Sequence, residues 1–106
     1  MTPHTKVIPS ALDETIAAKI AGQFAVLSDP TRVRILVSLL EGERRVSAIV
    51  GLGNLSQPAV SHHLRLLRQW RLVRARKAGS QVFYSLHDDH ILDLLLRSLD
   101  HVQHED

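Results

Sequence analysis

The chain of 106 residues contains no cysteine. That excludes a disulfide framework, a thiolate zinc finger, an iron–sulfur cluster and a cysteine nucleophile. Aromatic residues are scarce as well: Phe24, Trp70, Phe83 and Tyr84 complete the set. The core must then rest on Leu, Ile, Val and Ala, which favours helices over an all-β sandwich. No apolar run is long enough to span a bilayer, and Met1 to Ser10 lacks the apolar centre of a signal peptide. A cytoplasmic protein with no membrane role is expected. Acidic residues are missing where they would matter most. From Arg44 to His87 there is no Asp or Glu, while eight Arg and Lys give that window a charge of +8. The rest of the chain carries −6, for a net +2. A polyanion would meet the middle of this protein and be repelled by its ends.

What is present reads as one domain. Residues 1–10, with Pro3 and Pro9 and no apolar periodicity, are expected to form a flexible arm, and residues 11–106 the folded domain. Asp13 or Ser10 can cap a first helix with Ile16, Ile20, Phe24 and Leu27 at helical spacing. Ser28-Asp29-Pro30 starts a second, carrying Val33, Leu36, Val37 and Leu40 and stopping at Gly42. A third, short helix is predicted over 46–50, then a turn at Gly51–Asn54. Ser56 caps a fourth helix, which buries Val60, Leu64 and Leu67. Two strand-like runs, 72–76 and 81–86, join at Ala78-Gly79-Ser80 as a hairpin. Asp88-Asp89 opens a last helix that runs to about His104.

A short helix, a Gly-containing turn and a helix with a polar face make a helix-turn-helix arrangement. The polar face shows Ser56, Gln57, Ser61, His62 and Arg65. Gln suits adenine, Arg suits guanine or phosphate, and Ser and His suit either. The helix N-terminus adds a dipole that favours phosphate. Arg74, Arg76 and Lys77 on the hairpin fit a wing lying along a DNA backbone. A polar helix face or a basic hairpin alone is an ordinary solvated surface. The ordered series inside an acid-free window points to nucleic acid.

Three segments resemble the ArsR/SmtB family of winged-helix repressors: LSDPTRVRIL over 27–36, LSQPAVSHHLRLL over 55–67 and GSQVFYSL over 79–86. The resemblance runs from about residue 12 to the end. It implies a mainly α fold with a small β-hairpin, a winged helix-turn-helix, assembled as a homodimer. It also implies repression of an operator in double-stranded DNA, with release on binding an inducer, often a metal. The family's thiolate sites need cysteines, so sensing through thiolates and cysteine redox switching are excluded here.

The last helix offers other ligands. Asp88, His90, His101 and His104 suit zinc, cobalt or nickel. His90 and His101 are eleven residues apart, about 16 Å along a helix, so one ion cannot bridge them within one chain. Two antiparallel copies can. A twofold axis near Leu95–Leu96 sets Asp88 and His90 of one copy beside His101 and His104 of the other, giving two four-ligand sites. Ile91, Leu92, Leu94, Leu95, Leu96, Leu99 and Val102 also make this helix more apolar than one core needs. A single terminal His is usually just solvated; the spaced set is harder to dismiss. It resembles the C-terminal-helix zinc site of SmtB-type sensors. Nickel sensors of that family recruit N-terminal ligands, which puts His4 in view. His87 and Asp89 read as a strand end and a first-turn acid. In relatives a ligand on the last helix is linked to the loop after the recognition helix, here Gln69-Trp70-Arg71.

The resulting expectation is a homodimeric repressor that binds operator DNA without metal and is released by Zn(II), or by Co(II) or Ni(II). A winged-helix regulator with no metal role is the rival. An enzyme is not expected: four protein ligands close a tetrahedral zinc, and no hydrolytic triad, phosphate loop or HExxH motif occurs. Nor is a small organic substrate.

Overall fold

A computed structural model describes residues 13–104. The expected arm over 1–10, and His4 with it, lies outside the described residues. The order is α1 (Glu14–Leu27), α2 (Pro30–Ser38), β1 (Arg44–Arg45), α3 (Val46–Val50), α4 (Gln57–Gln69), β2 (Val73–Ala78), β3 (Gln81–Leu86) and α5 (Asp89–Gln103).

Side-chain caps start four of the helices. Asp13 accepts from the Ile16 amide, Asp29 from Arg32, Ser56 from Ala59 and Asp88 from Ile91, each satisfying an amide the helix cannot. The Arg32 amide holds the Asp29 carboxyl below its ordinary value of 3.8. Pro30 and Pro58 occupy first turns, where no amide is lost. α4 closes with two bonds, Leu72 N–H to Leu67 O and Arg71 N–H to Arg68 O. This is a Schellman turn, with Arg71 at φ +58° where glycine is usual.

Three elements differ from the sequence reading. α2 ends at Ser38, not near Gly42, because the chain tightens into successive i→i+3 turns after Leu36. Its core face is Ile35 and the expected Leu36, joined by Leu39; Leu40 packs against them half-buried, while Val37 is exposed. The hairpin is part of a three-stranded antiparallel sheet, order β1-β3-β2. β1 is the Arg44–Arg45 doublet, paired with Tyr84 and Phe83. Two arginines carry no apolar alternation, so nothing in their pattern marks a strand. The hairpin turn itself is the two residues Gly79-Ser80, with Gly79 at φ +63° in the position a II′-like turn reserves for glycine. Finally, the apolar stripe of α1 faces the core only at Leu27. Ile20 is 51% and Phe24 55% exposed, and only Val26 of this helix is buried.

The core is wholly aliphatic. Leu36, Ile49, Val60, Leu64, Leu67 and Leu72 are fully enclosed, and no polar side chain is buried with them among the described residues. α4 lies at the centre, with α2, α3 and β2 around it. α1 is keyed to the end of α4 through one close approach. A Cβ on Gly22 would overlap the Trp70 ring at Cη2. Gly22→Ala is therefore expected to push the indole from its seat and cost about 1–3 kcal/mol, as overpacking does. Trp70 is the only tryptophan, so a thermal melt combined with an emission scan checks this. An unshifted spectrum at wild-type stability would contradict it.

Candidate nucleic-acid interface and metal centre

Ser56, Gln57, Ser61, His62 and Arg65 all lie on the first three turns of α4 or its cap. The helix turns Val60, Leu64 and Leu67 inward. Gln57, His62 and Arg65 are exposed, and Ser61 is half-buried. The Ser56 hydroxyl is already engaged as the cap, accepting at 3.2 Å from Ala59 N–H. His63, the neighbour of His62, turns the other way; its Nδ1 is buried without a hydrogen-bond partner. Gln57 and Ser61 open into a cleft of about 290 Å³ between α3, α4 and the wing tip. Arg45, Ser47, Ser80 and Gln81 line the same cleft. Sequence reasoning missed these four, because only the sheet brings β1 and the wing tip to the start of α4.

The three wing cations do not form one face. Strand alternation places Arg74 and Arg76 on one side of the hairpin and Lys77 on the other, with its cross-strand partner Val82. Arg76 already has partners. Its Nε donates to Glu43 Oε2 at 3.2 Å, its Nη2 donates to Oε1, and its guanidinium stacks 4.9 Å from the Phe83 centroid. The Arg76 hydrogen bond pulls the Glu43 carboxyl below its ordinary value. Arg74 borders a recess that Glu41, Asp88 and Asp89 also line.

The four expected metal ligands fall at the two ends of α5. Asp88 is the N-cap and His90 is in the first turn; His101 is in the last turn and His104 is the C-cap residue. Asp88 divides its labour. Oδ1 accepts from Ile91 N–H at 3.2 Å, and Oδ2 lies 3.5 Å from His90 Nδ1. Two ligands at about 2.0–2.1 Å from a tetrahedral zinc stand about 3.3 Å apart, so this pair has nearly the required bite. Slight burial raises the Asp88 carboxyl, but the Ile91 amide and the nearby His90 outweigh it and leave the group below 3.8. Among the described residues of one chain, no three His, Asp or Glu groups converge as a metal site would need. Asp88 and His90 also border a recess of about 510 Å³ whose other walls include Lys19, Trp70 and Arg71. The start of α5 and the turn that ends α4 are thus neighbours.

Known proteins share this fold. The family described as bacterial regulatory protein, arsR family, matches residues 29–75, the span from α2 through the start of the wing. A transcriptional repressor SmtB homolog from Synechocystis is 38% identical over 95% of this chain and 76% of its own length. A cadmium resistance transcriptional regulatory protein CadC homolog from Staphylococcus aureus is 41% identical over 77% of this chain and 69% of its own. The solution structure of apo-NmtR superposes with a TM-score of 0.76, at 36% identity, covering 98% of this chain and 88% of that one. No described helix is long and apolar enough to cross a membrane. The chain belongs to the arsR family of bacterial regulatory proteins, as a transcription regulator that binds DNA through a winged helix-turn-helix and not as an enzyme.

Proposed function

We propose that this regulator is a homodimeric, zinc-responsive repressor working in the cytoplasm. Two copies pair through α1 and α5. The metal-free dimer binds a twofold-symmetric operator, with Gln57, Ser61, His62 and Arg65 of each α4 in the major groove. Uptake of zinc at Asp88 and His90, completed by His101 and His104 of the partner subunit, lowers its affinity for the operator.

The 3.5 Å separation of Asp88 Oδ2 and His90 Nδ1 carries the metal reading. It is half of a tetrahedral site, held in place by the helix cap, while the other pair of donors lies at the far end of the same helix. The uncovered faces support the pairing. Ile20 and Phe24 on α1, and Leu96, Leu99 and Val102 (80% exposed) on α5, form apolar surface that a monomer leaves wet. An antiparallel partner helix would cover it and deliver the missing donors to the recess beside Asp88. The similarity to a cadmium resistance regulator is consistent with a metal effector. Cobalt(II) and nickel(II) accept the same nitrogen and oxygen donors.

Metal and DNA must act reciprocally: whatever factor zinc takes from operator affinity, the operator takes from zinc affinity. Titrating the metal-free protein with operator duplex, alone and then with zinc, cobalt or nickel, tests the reading. A weakening by zinc of about 5–150-fold is expected, the range of common coupling energies. Operator binding that ignores all three metals would leave a winged-helix regulator with no metal role.

A further inference from the structure

We propose that Arg45, with the hydroxyls of Ser47 and Ser80, seats a DNA backbone phosphate in the cleft between α3 and the wing tip, and that Arg76 braces the wing instead of touching DNA. This rests on the docking of α4 into the groove and adds to it a contact outside the recognition helix.

The cations around the wing differ in what already holds them. Arg44 and Arg45 are adjacent and identical in sequence, yet the sheet gives them different work. Arg44 is half-buried, and its Nε donates to the Ser38 carbonyl at 2.7 Å. That holds β1 against the end of α2. Arg76 is held by Glu43. Strand order explains the consequence. Glu43 precedes β1 and Arg76 is on β2, so their pair reaches over the central strand β3, above Phe83, and ties the two edges of the sheet together. The carboxylate nearest to Arg45 in sequence is consumed by this brace. Among the described residues, Arg45 has no ion-pair partner, and it is exposed.

The cleft that Arg45 enters has matching chemistry. Its polar side chains are Arg45, Ser47, Gln57, Ser61, Ser80 and Gln81, every one able to donate a hydrogen bond, and none is a carboxylate. A cleft of donors with one uncompensated guanidinium selects an anion. Because Gln57 and Ser61 lie in its wall, an α4 seated in the major groove brings the flanking strand to its mouth. Phosphate contacts of this kind fix register and are indifferent to sequence.

Sequence indifference makes the test independent of the operator. Binding of the full chain to a labelled mixed-sequence duplex of about 30 base pairs is followed by anisotropy between about 50 and 200 mM KCl. Each phosphate contact contributes about 0.9 to the slope of log affinity against log salt. Arg45→Ala and Arg45→Gln should weaken binding several-fold and flatten the slope by about one for each protomer engaged. Arg45→Lys should restore the slope. Arg76→Ala should leave the slope at its wild-type value and instead lower the melting temperature, with Glu43→Ala/Arg76→Ala no less stable than Arg76→Ala alone. An unchanged slope in Arg45→Ala, or a loss in Arg76→Ala equal to that in Arg45→Ala, overturns the assignment. A wild-type protein that binds the duplex with no salt dependence would remove the whole interface; a normal wild-type plot with an unaffected Arg45→Ala removes only this seat.

Discussion

A mixed dimer is expected to bind one zinc tightly where the wild type binds two. In this dimer one protomer lacks Asp88 and His90 and the other lacks His101 and His104. The intact pair at the start of one α5 then meets the intact pair at the end of the other. The second site loses all four ligands. Each parental homodimer keeps only half of every site and should hold no tight zinc. The motive is geometric: His90 and His101 sit on one continuous helix, about 16 Å apart along its axis. Sites built within single chains predict zero tight zincs in the mixed dimer, and chelator competition separates one from zero. Cobalt substitution should give a tetrahedral nitrogen and oxygen spectrum with no thiolate charge transfer, as a chain without cysteine requires.

Two single variants extend the same expectation. His101→Ala should abolish the metal response and leave operator binding intact, because α4 is untouched. Asp88→Asn separates the two duties of that residue. Asn still caps a helix, so the fold should survive, while the lost carboxylate should weaken zinc. The pH dependence follows from which ligand holds a proton. Imidazole must be neutral to ligate, so zinc affinity falls as pH falls. Asp88 adds nothing to that loss near neutrality. Its carboxyl lies below 3.8 in the folded chain, so any stability its charge contributes is complete above the ordinary carboxylate range and is lost only as pH drops through the lowered value.

The recognition unit was legible in the sequence because its signals are local. Ser56 caps, Pro58 fits the first turn, and Val60, Leu64 and Leu67 repeat at helical spacing, so α4 and its buried face came out as the structure has them. α3 over 46–50 did too. Where the sequence misled, the deciding contact was distant. Arg44-Arg45 becomes a strand only because β3 offers it a free edge. The ion pair of Arg76 with Glu43, thirty-three residues away, was likewise invisible in the sequence. The stripe of α1 was periodic as expected, but periodicity shows that a face is apolar and not what it packs against. In one chain that face is left open, and the pairing proposed above would cover it.

Removal of the groove-facing side chains should cost the most operator affinity. Gln57 and His62 are exposed on the first turns of α4, pointing away from the core and free of internal hydrogen bonds among the described residues. Folding therefore has little call on them, and their truncation should leave stability and dimerisation as they are. A good base contact discriminates by about 1–3 kcal/mol. Each protomer brings its own α4, so a substitution acts in both half-sites. Gln57→Ala or His62→Ala should then weaken the operator by two such contacts, from tens-fold to more than ten-thousand-fold, and relax selectivity at one base position per half-site. The operator can be obtained by selecting bound duplexes from a random pool with the wild-type protein. The control is mixed-sequence DNA, where both variants should match the wild type in affinity and salt slope, since both residues are assigned to base edges and not to phosphate. Ser56→Ala would be a poor substitute for either, because its hydroxyl caps the helix and its loss would confuse folding with recognition. Wild-type operator affinity in Gln57→Ala and His62→Ala together would mean that α4 does not enter the groove by this face.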